Sequence, residues 1–128
     1  MARTDTRVVG ADAENVAYRY LKQHGLTPVR RNFRCRLGEL DLIMQDGRCL
    51  VVVEVRFRGS KSFVTAGLTI DNRKQQKIIR TAAMFLAWNE RFANNPLRFD
   101  VVGINADAHG DTTIEWMKDA FRPTNSRL

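Results

Sequence analysis

Leu40-Asp41-Leu42-Ile43-Met44-Gln45-Asp46-Gly47-Arg48-Cys49-Leu50-Val51-Val52-Val53-Glu54-Val55-Arg56 decides the fold. Two apolar runs flank Asp46-Gly47, a strong signal for a two-residue hairpin turn. With those two residues as the turn, Gln45 faces Arg48, Asp41 faces Val52 and Glu39 faces Glu54. Side chains alternate along a strand, so this register puts Glu39, Asp41, Glu54 and Arg56 on one sheet face. Directly opposed like charges destabilise a sheet, by roughly 0.2–1 kcal/mol per pair. Three carboxylates and one guanidinium on a single face therefore read as a cation site. Magnesium suits it, since that ion takes hard oxygen ligands and often needs only one or two carboxylates beside waters and substrate phosphates. The competing reading is a solvated Glu39 at a strand end and a Glu54 paired with Arg56 or Arg58.

Composition narrows the partner. The 128 residues carry 21 Lys and Arg against 14 Asp and Glu, a net charge of +7, and the sequence pI is near 10.1. Such an excess favours a polyanion, because basic side chains release condensed counterions when they neutralise phosphates. The length implies one domain with a real core, here residues 1–121, followed by a frayed polar tail over 122–128. With 44% hydrophobic and 27% charged residues, wholesale disorder is excluded. No secretory signal or long apolar run is apparent, so the expected location is the cytoplasm, with no membrane partner. Cys35 and Cys49 are too few for a disulfide scaffold and read as reduced, half-buried thiols in strands. His24 and His109 lack zinc-ligand spacing.

Outward from the hairpin, Ala13, Val16, Ala17, Tyr20 and Leu21 recur at helical spacing and predict a helix over 10–24 that Gly25 ends. Glu14 lies on the flank of that apolar stripe, either facing the sheet or solvated. Residues 29–36 predict the first strand, on which Arg30, Arg34 and Arg36 share parity and form a cationic strip. Residues 58–69 form a loop long enough to be a binding element. Asp71 or Asn72 caps a second helix with a buried stripe of Ile78, Ile79, Ala82, Ala83 and Leu86. Arg73, Lys74, Lys77 and Arg80 in its first turns oppose the macrodipole, at roughly 0.3–1 kcal/mol each. A bound phosphate turns that opposition into attraction; a solvated basic face is the alternative. Residues 97–104 predict a strand parallel to the second hairpin strand, reached by a right-handed crossover, and residues 112–117 an edge strand. Asp100 either extends the acidic site or pairs with Arg98.

Gly10-Ala11-Asp12-Ala13-Glu14, Arg31-Asn32-Phe33-Arg34, Gly38-Glu39-Leu40-Asp41-Leu42-Ile43, Val53-Glu54-Val55-Arg56-Phe57-Arg58, Lys74-Gln75-Gln76-Lys77 and Arg98-Phe99-Asp100-Val101-Val102 together resemble the PD-(D/E)XK nuclease superfamily, and within it the bacterial YraN family. The resemblance covers residues 10–104. It implies an α/β, restriction-endonuclease-like single domain: a helix-strand-strand-strand-helix-strand core whose mixed central sheet is flanked by helices, similar to Holliday-junction resolvases. By the same resemblance Asp41 and Glu54 correspond to metal-binding carboxylates and Glu14 to the acidic residue of the first helix; Glu39, placed on the same face by the hairpin register, is a further candidate ligand. Mg2+ or Mn2+ is then the implied cofactor, and a homodimer is within the family pattern.

Arg56 departs from that pattern, which has Lys at its place. Arg stays charged and offers a planar donor fork, so it can position a phosphate but not serve as a base. Phe63-Val64-Thr65-Ala66-Gly67 departs too, where the pattern has a Gly-Ser-Pro-like turn. The function implied is a magnesium-dependent nuclease hydrolysing phosphodiesters in DNA or structured nucleic acid. Glu14, Asp41, Glu54 and Arg56 form its catalytic set, while Arg31, Arg34, Arg58, Arg73, Lys74 and Lys77 contact the backbone. A non-catalytic nucleic-acid-binding module that kept the fold is the alternative, and a scaffold for an acidic protein a third.

Overall fold

Leu50-Val51-Val52-Val53 is buried on both faces in a computed structural model that describes residues 6–58, 70–106 and 111–123, with the side chains of 6–11, 58 and 106 outside the description. Leu50 and Val52 join one apolar cluster, and Val51 and Val53 the other. An uninterrupted apolar run marks a strand covered on both sides. It belongs to β3 (Cys49–Arg58), the centre of a five-stranded sheet with β1 (Thr27–Cys35), β2 (Gly38–Asp46), β4 (Leu97–Ala106) and β5 (Thr112–Phe121) in the spatial order β1-β2-β3-β4-β5. The pairs β1/β2, β2/β3 and β4/β5 are antiparallel, and β3/β4 is parallel. This is a mixed α/β sheet.

One helix covers each face. From α1 (Thr6–Gln23) Ala13, Ala17 and Leu21 pack on Leu42, Met44, Val51, Val53 and Val102. From α2 (Asn72–Trp88) Ile78, Ile79, Ala82 and Phe85 pack on Phe33, Leu40, Ile43, Val52 and Phe99. Asp71 is the N-cap, its Oδ1 accepting the Lys74 N–H at 2.8 Å. The buried stripe of α2 differs from expectation at several residues, among them Leu86, which is half-buried. Ala83 is exposed, while Thr81 and Phe85 are buried, because the helix packs across β1 and β2 rather than squarely over β3. A 3-10 turn over Glu90–Phe92 follows and seats Phe92 in the core. No described helix is long and apolar enough to cross a membrane.

The hairpin register departs from expectation. Asp46 pairs with Cys49 and Leu42 with Val53, so the turn is Gly47-Arg48. Gly47, at φ 63°, takes the first central position, where a II′ turn places glycine. Asp46 remains in the ladder, where its carboxylate accepts from Arg98 at 3.1 Å. The slide moves Asp41 from opposite Val52 to the level of Glu54, one step past the last pair. Alternation fails at the same level, where Leu40 joins the α2-side cluster and Leu42 the α1-side cluster. Across from Asp41 the irregular residue is Asn32, at φ 55°.

That kink also breaks the expected strip of Arg30, Arg34 and Arg36. Arg30 lies over the Phe33 ring at 5.4 Å on the α2 side, Arg34 points toward Glu39, and Arg36 is in the β1–β2 turn. Residues 59–69 of the loop expected over 58–69, with the Phe63–Gly67 departure, lie outside the described residues, as do His109 and residues 124–128.

Gly38 opens β2 directly under α2, and a Cβ there would meet Thr81 Oγ1 at 2.7 Å. Gly38→Ala is therefore expected to destabilise the protein by about 1–3 kcal/mol in chemical denaturation, with Thr81→Ala restoring part of the loss. A neutral Gly38→Ala would disprove this close packing.

Candidate active site

The site begins where β2 parts from β3. Beyond Leu42↔Val53 the two strands share no further ladder pairs, and the Val55 N–H is taken by Asp41 Oδ2 at 2.9 Å. A carboxylate thus replaces a carbonyl as the acceptor. Glu54, its side chain only 11% exposed, lies against the same opening and pairs with Lys74 Nζ at 2.9 Å. Among the described side chains its ion-pair partner is thus Lys74, not Arg56. Together Glu39, Asp41, Glu54, Lys74, Lys77 and Ile78 line a cavity of about 270 Å³.

Charge is unevenly satisfied here. Burial, then the neighbouring Glu54 and Glu14, push the Asp41 carboxyl up to about 7, against the opposing Val55 N–H and Lys74. Burial also raises Glu14 on α1, opposed by Arg31 and reinforced by Glu39 and Glu54. Glu14 is half-buried on α1. Asp41 and Glu54 are adjacent hard-oxygen donors with one ammonium, that of Lys74 on Glu54, between them, which fits an ion that binds through one or two carboxylates. Glu39 is more open, with Arg34 at 3.7 Å.

The remaining sequence-derived residues divide. Arg56 follows Glu54 by two residues on β3, half-buried beside Gly103 and outside the cavity lining. Arg31 is folded onto α1, donating to Asn15 Oδ1 at 2.8 Å and lying 4.5 Å over the Tyr18 ring. Its guanidinium positions α1 against β1. Arg34 and Arg73 are exposed near the cavity's end of the molecule, and the side chain of Arg58 lies outside the described residues. Lys74 is the residue whose place the sequence reading understated. Being three residues after an N-cap on a crossover helix put it above the end of β3, and that was the available signal.

Asp100 does not extend the site. Its side chain is fully buried and held by Arg98 Nε and Nη2 at 2.9 and 3.0 Å, by Trp116 Nε1 at 2.9 Å and by the Asp119 N–H at 2.9 Å. A larger cavity of about 530 Å³ opens beside this cluster, between Cys49, Phe99, Phe121 and Arg122. Its charges are already matched, Arg98 by Asp100 and Asp46, and Arg122 by Asp119. The smaller, acidic cavity carries the unmet chemistry.

A carboxyl raised in the folded state binds protons there that the unfolded chain has released. Stability is therefore expected to fall as pH rises from about 4 through about 7, with Glu14 contributing in the same direction. Asp41→Asn keeps an acceptor for the Val55 N–H. In chelator at pH 8 it should be more stable than wild type, on the order of 1–3 kcal/mol, with a flatter pH profile. Parallel profiles in thermal melts would show that Asp41 is not held in this way.

The family model described as "Uncharacterised protein family UPF0102" matches residues 13–104. A UPF0102 protein of Saccharophagus degradans is 49% identical over 112 residues, covering 88% of this chain and 91% of its own. One of Pseudomonas fluorescens is 44% identical over the same shares. A third, of Pseudomonas putida, is 40% identical over 121 residues, 94% of this chain and 98% of its own. The matched region runs from the first core residue of α1 to Ile104 of β4 and contains Glu14, Asp41, Glu54 and Lys74. By the extent of these matches the chain belongs to the UPF0102, or YraN, family.

Proposed function

We propose that this protein is a metal-dependent nuclease with a restriction-endonuclease-like fold, hydrolysing phosphodiesters in DNA or structured nucleic acid. The observation that carries the reading is the Asp41–Glu54 pair, brought together at a break in the hairpin with Asp41 raised to about 7. The element order and the mixed sheet with one helix on each face also support it. Asp41 and Glu54 would hold Mg2+ or Mn2+, with Glu39 at the rim. When bound, such an ion supplies Lewis acidity to the phosphodiester and lowers the pKa of the attacking water.

The chain's own groups do the positioning. Lys74 and Lys77 reach into the cavity from α2 and give a phosphate two ammonium groups beside the carboxylates. Lys74 brings an ammonium to Glu54 although position 56 has no lysine. Arg56, permanently charged, orients a phosphate rather than moving a proton. Arg34 and Arg73 extend the basic surface along the backbone, and a two-fold symmetric substrate would be met by a homodimer.

The Lys74–Glu54 ion pair also favours a second reading, because an ammonium already neutralises one of the two ligands. In that reading the protein binds nucleic acid without cleaving it. A panel of junction, flap and duplex substrates with Mg2+ or Mn2+ separates the two. Metal-stimulated cleavage by wild type is expected, falling on the order of a hundredfold or more in Asp41→Ala, the scale on which a transition-state-stabilising group acts. Salt-sensitive, chelator-insensitive binding with no cleavage of any substrate assigns the second reading, and activity gained only in Arg56→Lys marks a degenerate site.

A further inference from the structure

Trp88, the last residue of α2, is 61% exposed, the most exposed large hydrophobic side chain among the described residues. It is anchored rather than loose. Its ring meets Phe33 edge-on at 5.7 Å between centroids, and Phe33 in turn lies under the guanidinium of Arg30 at 5.4 Å. The Trp88 indole is thus an aromatic surface open to solvent, held by the core, with an exposed cation at its support.

Its position relative to the acidic cavity is set by helix geometry. Lys77 lines that cavity, and Trp88 follows eleven residues later. At about 100° and 1.5 Å per residue, eleven residues make three turns to within about 20°, so the two side chains leave α2 on the same flank, about 16 Å apart. That distance is roughly five steps of a stacked nucleic-acid strand at about 3.4 Å each. Arg80, exposed between them on α2, and Arg30, exposed on β1 beside the ring that supports Trp88, supply positive charge along the way. The +7 balance of the chain points to the same polyanion.

We propose that Trp88 is a stacking platform for an unpaired base of the strand whose phosphate enters the Asp41–Glu54 cavity. The preferred partner is then single-stranded, flapped or branched near the bound phosphate, not a continuous duplex. In a duplex both faces of an internal base are already stacked, whereas an unpaired base offers one to an aromatic ring. The proposal rests on the reading that the cavity accepts a nucleic-acid phosphate.

Intrinsic fluorescence tests it, since the chain has only two tryptophans and the other, Trp116, is half-buried with its Nε1 on Asp100. The intact protein, in chelator and low salt, is titrated with a single strand, a flap and a blunt duplex of equal length. Quenching is expected with the first two, absent with the duplex and absent in Trp88→Phe. Trp88→Ala should weaken binding of the single strand and flap about five- to a hundredfold and leave duplex binding unchanged. Trp88→Phe, which keeps a ring, should retain most of the affinity and guards against a folding defect in the alanine variant. Equal quenching by duplex, or single-strand affinity unmoved in Trp88→Ala, overturns the platform while leaving the cavity reading in place. No binding of any nucleic acid by wild type overturns both, and a Trp88→Ala change in sedimentation from dimer to monomer would assign the ring to contact with a second copy instead.

Discussion

Strand β3 passes in one residue from Val53, with no exposed surface, to the Glu54 carboxylate, and its neighbour β2 does nearly the same between Leu42 and Asp41. Two acidic side chains at the edge of a dry core repel each other, Asp41 is held back from ionising, and the sheet cannot turn them away without reversing the faces of the apolar residues beside them. What surrounds the pair follows from this constraint. The ladder ends, Asp41 captures the Val55 N–H, α2 begins overhead with Lys74 aimed downward, and an opening is left where side chains would otherwise close.

The treatment of Asp100 shows that an opening is not how this protein normally handles a buried acid. Around Asp100 the chain distorts β5, with Asp119 at φ 55° and a register shift opposite, so that a backbone N–H, an indole and a bidentate guanidinium all converge on one carboxylate. Breaking a fully satisfied ionic cluster of this kind typically costs about 3–5 kcal/mol. Structural acids are saturated with donors, whereas Asp41 and Glu54 share fewer donors and face a cavity. This contrast within one molecule gives the functional reading its weight.

The sequence carried most of the framework, because long apolar runs and helical stripes are dictated locally. Element order, the Asp71 cap and the grouping of Asp41 with Glu54 were all legible. The hairpin register was not. Asp46-Gly47 is locally the better turn, and Gly47-Arg48 prevails because Asp46 in the ladder meets Arg98, a residue from a strand far along the chain. Thr81 in place of Ala83 was equally hidden, since the facing of α2 depends on how closely it settles on Gly38. Arg31 shows a different blindness, for nothing in an exposed-looking basic run tells which guanidinium will be drawn onto Asn15 and Tyr18.

The two ion pairs at opposite ends of the β2–β3 hairpin have a further consequence. Arg98 grips Asp46 beside the turn, and Lys74 grips Glu54 at the open end, each arriving from an element that joins only once the parallel crossover closes. A hairpin whose turn can form in two places has a choice of alignment when it stands alone. Grasped at both ends by cations from the rest of the fold, it works like a key cut by its lock: alignment is selected by assembly, and the cavity between Asp41 and Glu54 comes into existence only in the aligned molecule.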